Sequence, residues 1–123
     1  MSYKILVVED NILNLKLFTD LLTIKNYEVI SSCDGHDILN RVFFEQPSLI
    51  LMDIQLKSIS GTDLIYILKN NSKTSHIPII AITAFTLSND INNIIEAGCD
   101  KYIAKPVAMD DFYRAIEEFL PNN

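Results

Sequence analysis

Glu9-Asp10 stand directly behind the apolar run Ile5-Leu6-Val7-Val8, Asp53 behind Leu49-Ile50-Leu51-Met52, Thr83 behind Ile79-Ile80-Ala81-Ile82, and Lys105-Pro106 behind Tyr102-Ile103-Ala104. Carboxylates about 4 Å apart repel by roughly 4 kcal/mol at an effective dielectric near 20. If the ends of these runs converge, three acids in one crevice therefore require something positive among them. Oxygen ligands with no histidine or cysteine nearby suit Mg²⁺, which binds through a few carboxylates, retains waters and favours phosphate as a further ligand.

Convergence follows from the elements that carry these residues. The four runs and a fifth, Tyr27-Glu28-Val29-Ile30, are short and mostly aliphatic, as strands buried on both faces are. Helix-period segments lie between them. Leu13, Leu17, Phe18, Leu21 and Leu22 mark the first helix, Ile38, Leu39, Val42 and Phe43 the second, and Leu64, Ile65 and Leu68 the third. Leu87, Ile91, Ile94 and Ile95 mark the fourth; Phe112, Ile116, Phe119 and Leu120 mark the fifth. Five strands alternating with five helices imply right-handed crossovers and a doubly wound parallel α/β sheet. In such sheets the ligand site lies beyond the carboxyl ends of the strands, where all four reactive groups fall.

At 123 residues, with 49% hydrophobic and 21% charged content, the chain has the size of one domain spanning 1–123. Its net charge of −6 argues against nucleic acid or an anionic membrane surface as a direct partner. The start leaves no room for a signal peptide, and no apolar stretch reaches membrane-spanning length, so a cytoplasmic protein is expected. Cys33 and Cys99 have no metal-ligand spacing and read as reduced thiols. Pro121-Asn122-Asn123 reads as a frayed end.

Val8-Glu9-Asp10-Asn11, Leu51-Met52-Asp53-Ile54, Ile82-Thr83-Ala84 and Ala104-Lys105-Pro106 together resemble the four motifs of response-regulator receiver domains, with compatible spacing over essentially the whole chain. Glu9-Asp10-Asn11-x-x-Asn14-x-Lys16-Leu17-Phe18, Leu51 to Leu56 and Ala81 to Phe85 narrow the resemblance to stand-alone regulators of cell division. The resemblance implies a flavodoxin-like (βα)5 fold with strand order 2-1-3-4-5. It makes Asp53 the phosphoacceptor, Asp10 a direct Mg²⁺ ligand, Glu9 an acid acting through metal-bound water, and the Gln55 main-chain carbonyl a further ligand. Thr83 and Lys105 would bind phosphoryl oxygens, Tyr102 would be the switch aromatic, and Lys105-Pro106 would be a cis bond. It implies phosphotransfer from a histidine kinase, dephosphorylation by a phosphatase, and exchange with a histidine phosphotransfer protein.

The chemistry agrees with that assignment. A carboxylate can displace a phosphohistidine or acyl-phosphate leaving group when a divalent cation and a lysine neutralise the transferring phosphoryl, and no general base is needed. With one fold filling the chain, the signal must pass to another protein. The expected surface is the face of Tyr102 and Ile91, although Ile91 also reads as core. Two departures from the family pattern bear on this. Lys57 stands where many receivers have proline, so the loop through Ser58-Ile59-Ser60 is expected to be looser. Phe85, bulky and apolar two residues after Thr83, is expected to shield the phosphoryl group from water.

Plainer readings exist for each residue. Glu9-Asp10 suit a helix N-terminus, Thr83 a helix cap, Tyr102 a packed strand aromatic, and Gly35, Gly61 and Gly98 turns or helix ends. Asn14 falls within the apolar arc of the first helix and is expected to bond a loop backbone group or water. His36 and His76 read as surface residues. An aspartate-nucleophile phosphatase of the haloacid-dehalogenase type would need a second acid at position 55, where Gln55 stands. A flavodoxin-like electron carrier would place Glu9-Asp10 against its phosphate. An interaction module independent of phosphorylation leaves the complete acidic set unexplained.

Overall fold

The computed structural model describes residues 3–84 and 87–121. Strands β1 (Lys4–Val8), β2 (Glu28–Ser32), β3 (Leu49–Asp53), β4 (Ile79–Thr83) and β5 (Lys101–Ala104) alternate with helices α1 (Ile12–Ile24), α2 (Ile38–Glu45), α3 (Gly61–Lys69), α4 (Ser88–Ala97) and α5 (Met109–Phe119). The strands form one parallel sheet in the order β2-β1-β3-β4-β5.

Successive side chains of a strand point to opposite faces, so each strand feeds two cores. Leu6, Val8, Ile50, Met52, Ile79 and Ala81 pack under α2, α3 and α4, against residues such as Val42, Ile65 and Ile94. Ile5, Val7, Leu49, Leu51, Ile80 and Ile82 pack under α1 and α5, against Phe18, Leu22, Phe112 and Ile116. The Phe18 and Phe112 rings stack there with centroids 5.4 Å apart. A fully buried side chain of this size contributes about 1.5–3 kcal/mol.

Burial on both faces holds for the inner strands β1, β3 and β4. The edge strands β2 and β5 are only partly covered, because each has a neighbour on one side only. Three helices also depart from the sequence expectation. On α1, Phe18 and Leu22 reach the core, but Leu13 is 79% exposed and Leu17 50%. Apolar residues surround that helix, so periodicity could not select the inward stripe. On α4, Ile94 is buried, whereas Leu87 and Ile95 face outward and Ile91 is half-buried. On α2, Val42 is buried and Phe43 is not.

Strand register aligns the chemistry. Val8 pairs with Met52, Asp53 with Ile82 and Thr83 with Ala104, so Glu9, Asp53, Thr83 and Lys105 lie along one edge of the sheet. Bonds beyond the strands extend that edge: Glu9 N–H to Ser32 O (3.1 Å), Ile54 N–H to Ile82 O (3.0 Å) and Lys105 N–H to Thr83 O (2.8 Å). Strand order reverses between β1 and β3, and the crevice there is the ligand position of this architecture.

Candidate phosphoacceptor and metal site

Glu9 and Asp10 leave the end of β1 and turn into α1, whose first turn is capped by the Asn11 side chain accepting from the Asn14 amide at 3.0 Å. Asp53 ends β3 and is almost fully buried. One oxygen from each of Glu9, Asp10 and Asp53 lies within 4.8 Å of the others. This is the convergence the sequence predicts.

Each acid has a different environment. Asp53 Oδ1 accepts from the Gln55 amide at 3.0 Å and from Lys105 Nζ at 3.3 Å. Asp10 is half-buried, and its Oδ2 accepts from the Lys57 amide at 2.8 Å. Glu9 is 1% exposed; its Oε2 accepts from the Asn11 amide at 3.2 Å, while Oε1 has no donor among the described residues. Burial pushes the Glu9 carboxyl up to about 7, and the Asp53 carboxylate beside it adds to the rise, against the Asn11 amide and the Lys105 charge.

A buried carboxylate with one oxygen lacking a donor, clustered with two further carboxylates, is costly unless a proton or a cation meets it. The donor set is all oxygen, which fits a hard divalent cation such as Mg²⁺. Lys105 neutralises only part of the negative charge.

Thr83 ends β4 and is fully buried. The Lys105-Pro106 bond is cis. Gln55 sits at the mouth with its amide on Asp53, and its side-chain Oε1 accepts from the Ala84 amide at 3.0 Å. Tyr102 on β5 is 39% exposed, beside a shallow hollow shared with Ile95, Cys99 and Asp100. Half-buried Ile91 is on α4. Phe85 lies outside the described residues. His36 and His76 are exposed, and His36 meets the Ser58 hydroxyl at 3.1 Å. Cys33 and Cys99 are free thiols.

The sequence reading did not assign the amides of Lys57 and Ala84, because every residue type except proline carries a backbone donor. It also missed the packing role of Gly61. A Cβ at this first residue of α3 would lie 2.7 Å from Ile54 Cα and would also strike the Asp53 carbonyl oxygen.

The model of the response regulator receiver domain matches residues 5–117. The chain belongs to the response-regulator receiver family. The receiver is 41% identical over 120 residues to the polar-differentiation response regulator DivK of Brucella ovis, covering 98% of each chain. The DivK protein of Brucella abortus strain S19 gives the same identity and coverage. Among solved structures, the receiver domain of the Pseudomonas aeruginosa sensor histidine kinase PA1611 superposes with a TM-score of 0.89 at 28% identity, over 99% of this receiver and 100% of that chain. That protein was solved with a magnesium ion coordinated in its active-site cleft. A response regulator from Chloroflexus aurantiacus superposes at TM-score 0.92 with 23% identity, covering 99% of this receiver and 100% of that chain, and shares the fold.

Proposed function

We propose that this protein is a single-domain response regulator that accepts a phosphoryl group on Asp53 from a histidine kinase or a histidine phosphotransfer protein. It then signals by phosphorylation-dependent protein–protein contact. The observation that carries the reading is a nearly buried Asp53 carboxylate that accepts from Lys105 Nζ and shares one cluster, within 4.8 Å, with oxygens of Glu9 and Asp10. The similarity to DivK over 98% of the chain supports a role in cell division or polar differentiation.

An Asp53 oxygen forms the new O–P bond as the donor's P–N bond breaks, and the departing imidazole takes up a proton. Asp10, Asp53 and the Gln55 main-chain carbonyl, with Glu9 acting through water, would hold Mg²⁺, which when bound would supply charge neutralisation at the phosphoryl oxygens. Lys105 adds a fixed positive charge beside the acceptor. Thr83 donates its hydroxyl to a phosphoryl oxygen, and its movement makes room for Tyr102. Partners such as sensor kinases and phosphatases read the change on the face carrying Tyr102 and Ile91. The receiver catalyses only its own phosphorylation and slow dephosphorylation, and it binds no nucleic acid directly. Its place of action is the cytoplasm, without membrane insertion; among the described residues no helix is long and apolar enough to cross a membrane.

Acetyl phosphate with Mg²⁺ should yield one acid-stable, base-labile acyl phosphate, seen as a shifted band on a Phos-tag gel. Borohydride trapping and mass spectrometry should place it on Asp53. Labelling that persists in Asp53→Asn would remove the assignment.

A further inference from the structure

The loop after β3 was expected to be looser because position 57 lacks proline, yet Lys57 ties it to the far side of the site. Its backbone N–H donates to Asp10 Oδ2 at 2.8 Å, joining residues 47 positions apart in sequence. Proline has no N–H and could not make this bond. The lysine ammonium is not the agent, since the side chain is exposed and the donor is main chain.

We infer that Lys57 is a positioning residue of the metal site, its backbone N–H fixing the Asp10 carboxylate so that its remaining lone pairs meet a divalent cation. The inference rests on the metal-assisted reading of the same cluster. An ionised carboxylate offers about four acceptor sites, so one amide leaves room for a metal. A half-buried aspartate without this bond would keep rotamer freedom that cation binding must then remove. Bonds from outside groups to metal ligands typically change metal affinity by about 10- to 100-fold when lost. The same bond makes the loop sense the cation, because whatever holds Asp10 also holds the stretch between Asp53 and α3.

Two variants at one position separate the amide from the charge. Both Lys57→Ala and Lys57→Pro remove an ammonium that repels a cation, but only the second removes the N–H. Titration calorimetry with MgCl₂ on the full chain should give Lys57→Ala an affinity equal to or slightly tighter than the parent. Lys57→Pro should bind about tenfold more weakly than Lys57→Ala. Equal affinities in the two variants would overturn the inference. Should proline disrupt the loop, the parent supplies an independent measurement: the Lys57 amide proton should resonate downfield, move upfield in Asp10→Ala, and titrate with Mg²⁺ at the calorimetric Kd. A Lys57 resonance indifferent to both would overturn the inference as well. A parent that binds no Mg²⁺ would remove the metal reading itself, whereas a binding parent with indistinguishable variants removes only the role of Lys57.

Discussion

The Gln55 side chain accepts a hydrogen bond from the Ala84 amide at 3.0 Å while the Gln55 amide donates to Asp53 Oδ1 at the same distance. One residue thus joins Asp53 to the loop that follows β4. The bond is solvent-exposed, so water can replace it and its loss should cost at most about 1 kcal/mol. Gln55→Ala should therefore leave the melting temperature nearly unchanged while Ala84 amide exchange quickens. Unchanged exchange at Ala84 would show that the contact does not restrain this loop.

Lys105 supplies the positive charge 3.3 Å from Asp53 Oδ1. Hydrogen bonds to charged groups contribute about 1.5–3 kcal/mol. Lys105→Met should destabilise the metal-free protein by about 2 kcal/mol in urea unfolding and slow acetyl phosphate labelling. Retained labelling at the parent rate would show that lysine charge is dispensable for transfer.

Glu9 predicts the sign of a pH dependence. Its carboxyl rises from 4.5 to about 7 in the folded protein, mainly through burial. Between those values the unfolded chain has lost the proton that the folded chain retains, so stability is full below about 4.5 and falls until about 7. The total loss is on the order of 3 kcal/mol. Melting curves of the metal-free protein should show this fall, Glu9→Gln should flatten it, and Mg²⁺ should offset it by favouring the ionised site. A slope identical in parent and Glu9→Gln would assign it to other groups.

Gly61 marks where α3 approaches the end of β3. Because an added Cβ meets main-chain atoms rather than flexible side chains, Gly61→Ala should cost about 1–3 kcal/mol and displace Asp53. Denaturant unfolding and Phos-tag labelling measured together test this, and loss of neither stability nor labelling would mean the backbone yields freely.

Glu9, Asp10, Asp53, Thr83 and Lys105 were legible because each follows an apolar run, and parallel strands bring their carboxyl ends to one edge. Strand order came from family resemblance, since composition does not separate edge strands from inner ones. Leu13, Leu17, Leu87 and Ile95 were placed on inward faces that the structure turns outward. In α1 the excess of apolar residues hides the core stripe. What the sequence could not display were the contacts of Lys57 and Ala84, made by main-chain donors, and the close approach of Gly61, visible only once α3 is seated on β3.

The edge-to-edge assembly of the strands has a consequence for how damage to this protein is felt. Glu9, Asp53 and Lys105 stand at the carboxyl ends of β1, β3 and β5, so neighbouring pairs among them are separated by more than forty positions, and no local segment holds a working subset. Loosening either hydrophobic layer, even far from the crevice, separates the acids from their lysine before any of them is altered. The proposed labelling of Asp53 would thereby double as an assay of native folding, with core substitutions silencing it in step with the native population.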